Sequence, residues 1–503
     1  MDQGLGGADN VRPRQGAIPL VAIAFCLIFA RVIGSLVLPL YDDAFITFRY
    51  ARNLAAGHGL LYNAGEWVLG LTCPLFGVLC AIPFTLKLPM PATVVAVNIL
   101  CDAATLLLTL HVLRRQSDPA QGKLFAILFA LSPISTRVCA GGMEMNLYLL
   151  ISLAAIVFGL RSQWPSAILF AAGACLLRPE GVLLLGILLL RAGLEGGVRK
   201  ALRIAALAGV VLVPALVSLW ITYGSPVPQS LRAKATLIEH AHLSPLQILL
   251  QLVAADPLMV LCLPFAAWGA LRAVRDRGTA FQRVVGWWGL AYLGAYMAGR
   301  PNVYSWYGEP VYFAVLLMGA LGAHDALHRL RWPSPRALDR LLTAAITLPI
   351  LVWGGTLLRG GPSGVTTHVF QALDHWGRLH DVEHASFMAA DIGALGYFTN
   401  GRIYDQAGLV WPEALQYRTP EQIIARYRPD YLYMNVNQAT WTFMNSSPWR
   451  SVYRPVARFS KSGRQDFDLH DAAAGVWLQD YVLFARSGEH AVPSPPDSGA
   501  LTD

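Results

Sequence analysis

Apolar residues along this chain fall in runs about 20 residues long, separated by short polar turns. Such a run is long enough to cross a bilayer core as a helix. The first extends from Ala17 to about Pro39. Others lie near 75–90, 92–113, 124–140, 145–160, 165–177, 181–193, 203–222, 246–271, 284–299, 309–324 and 339–358. The pattern predicts a polytopic α-helical membrane protein of about 11–13 transmembrane helices over residues 17–358. The first run is too long for a secretory signal, and no small-residue cleavage site follows it. It is expected to be a membrane helix anchored inside by Arg12 and Arg14, behind a disordered cytoplasmic segment at 1–16.

Arg and Lys concentrate in the turns Arg114–Lys123, Arg161–Pro165, Arg191–Arg203, Arg272–Arg283 and Arg329–Arg340, which marks these as cytoplasmic. The loops 41–74, 141–146, 178–181, 223–245 and 300–308 then share the far side, with 41–74 as a long periplasmic loop. One stretch breaks the alternation. Two runs, 75–90 and 92–113, separate a far-side loop from a cytoplasmic turn, where an odd number of crossings is required. Either 75–90 stops short of crossing, or Arg114–Lys123 departs from the charge rule.

After Leu358 the long apolar runs end, and charge, Asn and Tyr increase. SFMAADIGALGYF (386–398) and DYLYMNV (430–436) read as buried strands, and PEQIIARYR (420–428) between them as a helix with Pro near its start. This order predicts a small soluble α/β domain over 359–490, exported to the periplasm, before a disordered tail at 491–503. No internal repeat is visible, which disfavours inverted-repeat transporter designs.

Composition sharpens the class. Hydrophobic residues make up 55% and charged residues 14%, with a mean hydropathy of +0.46. Soluble chains carry roughly a quarter charged residues, so an ordinary soluble enzyme is excluded, and so is a disordered protein. The net charge of +8 resides in the turns and not in a nucleic-acid-reading motif, which excludes nucleic acid as partner. The seven cysteines lie mostly inside or beside apolar runs and show no metal-ligand spacing. None follows Cys262, so the C-terminal domain is expected to fold without disulfides.

Candidate chemistry clusters on the far side. Asp42 and Asp43 follow the first helix at the membrane edge, where burying an unpartnered carboxylate is costly. Adjacent acids repel, so one is expected to hold its proton more tightly and to serve as a general base towards an acceptor hydroxyl. The same acids also suit the N-terminus of the amphipathic helix FITFRYARNLAAG, and both roles are compatible. Glu144 in GGMEMN reads either as a further site acid or as a solvated loop carboxylate or helix N-terminal charge. Arg178 and Glu180 in RPEG read either as sugar or acceptor contacts or as a structural ion pair. Arg232, Lys234 and Arg300 are suited to a phosphate. Tyr304, Trp306 and Tyr307 offer flat faces for a sugar ring, although both residue classes are common at bilayer interfaces. Asp102 and Asp256 are suspects by location alone, and His58, His240 and His242 read as surface histidines. No nucleotide-binding loop, HExxH or GxSxG is present, and Asn445–Ser447 is a lone sequon-like triplet.

Taken together, YDDAFITFRYARNLAAGHGLLYNAGE after the first helix, GGMEMNLY, LLRPEG, a Tyr-Gly-x-Pro-x-Pro loop ending in RAKA and an aromatic far-side loop resemble the membrane-embedded C-type glycosyltransferases, the GT-C superfamily. The similarity covers about residues 17–440. Within it, the sequence is most similar to the bacterial branch that includes the mycobacterial terminal arabinofuranosyltransferase. Protein mannosyltransferases and the aminoarabinose transferase of lipid A are more distant. DIGALGYFTNGRIYDQAGLV (391–410) looks like the strand and Asp-x-x-Gly-Leu turn of that branch's exported domain.

The resemblance implies an inverting transferase that moves one sugar from a polyprenyl phosphate to a cell-envelope glycan, lipid or protein, in cell wall biogenesis at the outer face of the inner membrane. Carried over by position, Asp42 or Asp43 holds the base, with Asp42 slightly favoured. The other Asp and Glu144 orient the acceptor or hold a divalent cation, Mg²⁺ or Mn²⁺, a requirement that varies across the superfamily. Arg232, Lys234 and Arg300 grip the lipid phosphate. Ser-Pro-Val-Pro-Gln-Ser stands where Pro-Asn-Thr is more usual, and Met145 where Thr is, so donor and acceptor do not carry over. The competing classes are a polytopic transporter or lipid flippase, which would string its charges along a path through the membrane centre, and an inactive relative acting as a scaffold.

Overall fold

The computed structural model describes residues 20–238, 243–300, 304–330, 334–359, 365–436, 448–459 and 481–487. The expectations for 1–16, His240, His242, Asn445–Ser447 and 491–503 lie outside the described residues. Every predicted apolar run becomes helix. In chain order these are α1 (Leu20–Val37), α2 (Asp42–Ala55), α3 (Pro74–Thr85), α4 (Ala92–Gln116), α5 (Pro119–Leu131), α6 (Pro133–Ala140), α7 (Met145–Leu160), α8 (Trp164–Leu177) and α9 (Gly181–Tyr223). They continue with the short α10 (Gln229–Ala233), α11 (Pro245–Ala255), α12 (Pro257–Arg272), α13 (Ala280–Gly299), α14 (Glu309–Arg329) and α15 (Pro335–Leu358).

Not all of these helices reach across a bilayer alone. Among the described residues, five are long and apolar enough to cross, and seven spans result if two bent pairs each count as one. The sequence runs overstate length because proline divides them. The run 246–271 splits at Asp256–Pro257 into α11 and α12, whereas the break in α9 at Gly196 and Gly197 falls in the turn expected between the runs 181–193 and 203–222. The run 75–90 yields the 12-residue α3, about 18 Å long against a bilayer core of about 30 Å. Helix α2 turns 95° away from α1, so it leaves the direction of the first span.

The charged turns assigned to one side meet one another. Lys123 pairs with Asp339, His324 with Asp118 and Arg272 with Asp325, while Lys200 lies 5.0 Å over the Trp164 ring. Inside the helical bundle Arg31 pairs with Asp102 at 2.8 Å, both fully enclosed, and also reaches Thr136 and Ser135. Asp256 accepts from Ser132 at 2.7 Å and from the Leu258 N–H at 2.9 Å. Both buried acids suspected by location thus have structural partners, and a buried charge needs them. His58 is exposed, as expected.

Helices α12 and α14 cross with their backbones in contact. A Cβ on Gly322 would lie 1.9 Å from the Phe265 carbonyl oxygen, and one on Gly269 2.0 Å from that of Met318. Gly322→Ala is therefore expected to force the pair apart and to cost about 1–3 kcal/mol, the range for overpacking. Thermal unfolding in detergent checks this against Gly354→Ala, where a Cβ meets open space. Equal melting temperatures for the two variants would refute the close crossing.

The C-terminal domain holds α16 (Val365–Leu379), β1 (Ser386–Ala389), α17 (Gly393–Thr399), β2 (Arg402–Asp405), α18 (Pro420–Tyr427), β3 (Tyr431–Asn435), β4 (Tyr453–Phe459) and β5 (Tyr481–Arg486). Sheet order is β2-β1-β3-β5-β4, with β1 parallel to β2 and β3, and β5 antiparallel to β3 and β4. The expected strand at 386–398 corrects to a strand followed by a helix. Parallel pairing of β1 with β2 needs a crossover connection, and α17 supplies it.

This domain is docked on the loop and helix that follow α1. Arg49 donates to the Gly401 carbonyl at 2.7 Å and Tyr62 to that of Ile392 at 2.6 Å. Asn63 completes the edge of the sheet. Its amide accepts from the Ile403 N–H and donates to the Ile403 carbonyl, both at 3.0 Å, as a neighbouring strand would.

Candidate active site

All five loops assigned to the far side contribute to the lining of one cavity. Asp43, Ile46 and Thr47 reach it from the first two turns of α2, as i, i+3, i+4 neighbours do. Glu144 comes from the start of α7, Arg178 from the α8–α9 turn, Ser230 from α10, Lys234 from just beyond it, and Trp306 and Tyr307 from the turn before α14. Leu409 of the C-terminal domain also lines it.

The two adjacent acids separate in role. Asp42 turns to the C-terminal domain and accepts the first N–H groups of α17, from Gly393 at 2.8 Å and Ala394 at 2.9 Å. It caps a helix, but not its own. Burial, then the nearby Asp391, push its pKa up to about 7 against those N–H groups. Asp43 instead lines the cavity, and its carboxylate has no hydrogen-bond partner among the described residues. Burial raises its pKa above the ordinary carboxylate value; Lys234 opposes this, and Asp391 and Glu144 add to it.

Arg178 binds two acids at once. It donates to Glu144 and, by two further N–H groups at 2.9 and 3.2 Å, to Glu180. Glu180 also accepts from the Tyr296 hydroxyl. Three of the guanidinium's donors are thereby used, so Arg178 fixes Glu144 and keeps little for a ligand. Glu144 is 1% exposed, and its Oε2 has no partner among the described residues.

Lys234 donates to the Tyr307 hydroxyl at 2.6 Å and lies 5.2 Å over that ring. Burial pulls its pKa down, but Tyr307 and Asp43 outweigh that and raise it, so it stays charged. Of three cations expected to take the phosphate, Lys234 lines the cavity. Arg232 is exposed and donates to Ser225 at 2.7 Å, and Arg300 is exposed at a left-handed helix cap. Trp306 stacks on Tyr304 at 4.9 Å and lies 4.3 Å from Tyr41. Tyr304 itself is 40% exposed, at the rim.

A divalent cation does not fit these residues. Among the described residues no three His, Cys, Asp or Glu side chains converge as a metal site requires. Glu144 is already paired with Arg178, and Lys234 stands where it would oppose an ion at Asp43. Ser230 and Leu409, which line the cavity, and Asp391, which acts on Asp42 and Asp43 through its charge, were not singled out from the sequence. Asp391 just follows β1, where it accepts from Tyr481 at 2.8 Å. The end of a parallel strand is a site signal that could have drawn attention to it.

Residues 366–481 match a family model described as a domain of unknown function, DUF8728. No curated protein matches the chain by sequence. Among solved structures, ArnT from Cupriavidus metallidurans bound to undecaprenyl phosphate is similar at 12% identity and a TM-score of 0.60, over 93% of this chain and 97% of that one. Its apo state gives 13% and 0.59 over the same shares. The archaeal oligosaccharyltransferase AglB from Archaeoglobus fulgidus, in complex with an inhibitory peptide and a dolichol-phosphate, gives 11% and 0.55 over 93% of this chain and 76% of that one. Together with its apolar helices and small C-terminal sheet, these likenesses show that the chain has the membrane fold of the C-type glycosyltransferases.

Proposed function

We propose that the chain is a glycosyltransferase that moves one sugar, such as arabinofuranose, from a polyprenyl phosphate to a hydroxyl of a cell-envelope acceptor. The observation that carries this reading is the meeting of an acid without a hydrogen-bond partner among the described residues, Asp43, with a half-buried cation, Lys234, in one cavity at the ends of apolar helices. Asp43 takes the proton of the acceptor hydroxyl, whose oxygen forms the new bond to the anomeric carbon. The bond from that carbon to the phosphate oxygen breaks, and the phosphate leaves with the electron pair. Lys234 balances its charge. A single displacement inverts the anomeric carbon. The cavity faces the outside of the inner membrane, so the lipid tail stays in the bilayer while the acceptor arrives from the aqueous side.

Membranes containing the chain, supplied with labelled polyprenyl-phosphate arabinofuranose, mannose and glucose, test this. Transfer of one label is expected, and Lys234→Met should raise KM for that donor about tenfold or more, as loss of a charged contact does. No transfer from any donor would leave the reading without support.

A further inference from the structure

The turn after β2 brings the C-terminal domain into the cavity. Asp405 is fully buried, and its carboxylate accepts the N–H of Ala407 at 2.8 Å and of Val410 at 2.9 Å. Burial pushes its pKa up to about 6 against the N–H groups of Val410, Ala407, Leu409 and Gly408. The turn is thereby a rigid loop with Leu409 at its tip. The membrane part clamps it from two sides. Gln229, next to Ser230, donates to the Gly408 carbonyl at 3.1 Å. Gly70 packs so closely that a Cβ there would lie 2.8 Å from the Leu409 carbonyl oxygen.

Three residues that line this cavity each carry a buried polar atom without a partner among the described residues: Glu144 Oε2, Ser230 Oγ and Trp306 Nε1. Buried polar atoms are ordinarily hydrogen-bonded, so these three call for a ligand with several hydroxyls. The acceptor Glu144 Oε2 needs a donor, the indole N–H needs an acceptor, and Ser230 serves either way. Leu409 adds an apolar contact to a polar lining. Hydroxyls on the edge and C–H groups on the face are the surface of a sugar ring.

Resting on the glycosyltransferase reading above, we infer that the donor's sugar ring is held jointly by Leu409 of the C-terminal domain and by Glu144, Ser230 and Trp306 of the membrane part, with Leu409 limiting the size of ring accepted. The matched domain of unknown function is then a wall of the sugar subsite.

The full-length chain in proteoliposomes tests this with the donor that the native protein transfers, with bulkier polyprenyl-phosphate sugars, and with sugar-free undecaprenyl phosphate as a binding probe. Leu409→Ala is expected to lower kcat/KM for the native donor about 10–100-fold, as loss of apolar side-chain contact does in specificity pockets. It should also improve the relative use of bulkier donors. Leu409→Trp should abolish transfer, while both variants bind sugar-free undecaprenyl phosphate within about twofold of native. Native transfer with an unchanged donor ranking in Leu409→Ala overturns the subsite alone. Absence of both transfer and undecaprenyl phosphate binding in the native protein removes the glycosyltransferase reading, and this inference with it.

Discussion

Asp43→Asn is expected to reduce sugar transfer about 10²–10⁴-fold, the contribution of a positioned general base, with the fold intact. Asparagine keeps the shape but cannot take the acceptor's proton. The carboxylate makes no hydrogen bond among the described residues, so its loss leaves no partner stranded. Asp42→Asn should behave differently. Its carboxylate holds the Gly393 and Ala394 N–H groups, so the variant should lower the melting temperature while sparing more of the rate. The pH profile is a second readout. Asp43 must be ionised to act, so kcat/KM should rise with pH, along a limb displaced above the ordinary Asp value of 3.8 because burial holds the proton. Equal losses of turnover in both variants, or a pH profile that Asp43→Asn leaves unmoved, would remove Asp43 as the base.

Arg178→Met should be the most damaging substitution for stability. It strands Glu144, which is enclosed, and Glu180 beside it, two carboxylates that share one guanidinium. Removing one partner from a buried ion pair costs about 3–5 kcal/mol, because the remaining charge cannot regain water. The triple variant Arg178→Met, Glu144→Gln, Glu180→Gln should recover much of the melting temperature without recovering transfer. A melting temperature for Arg178→Met equal to native at neutral pH would show that the triad carries no such burden.

The membrane part was legible because two simple constraints act on it. Crossing hydrocarbon demands apolar length, and the charge of the turns sorts the loops, so the five loops grouped by the absence of basic turns converge on one cavity. The sequence could not say which of Asp42 and Asp43 faces that cavity. Neighbours on a helix point about 100° apart, and the choice depends on what packs against each face, here α17 of a domain more than 300 residues on. The same holds for the cations. Arg232 and Lys234 are two residues apart in one loop, yet one points to Ser225 outside and the other to Tyr307 within. Arg178 was recognisable beside Glu180, but its bond to Glu144 joins residues 34 apart and decides its role. In the C-terminal domain, the buried helix α17 carries the same apolar density as a strand, and β4 and β5 pair across a long sequence separation that local pattern does not encode.

Asn63 and Ile403 lie 340 residues apart. At synthesis rates of about 5–20 residues per second, the amide that seals the sheet edge exists on the order of 20–70 s before the strand it seals. The order of manufacture therefore protects the protein. When β2 emerges, its unpaired backbone meets a cap already installed in its own chain, ahead of any other chain's edge. The membrane part works as a template in time as well as in space, and the cavity is complete only when Leu409, made long after Asp43, has settled into its lining.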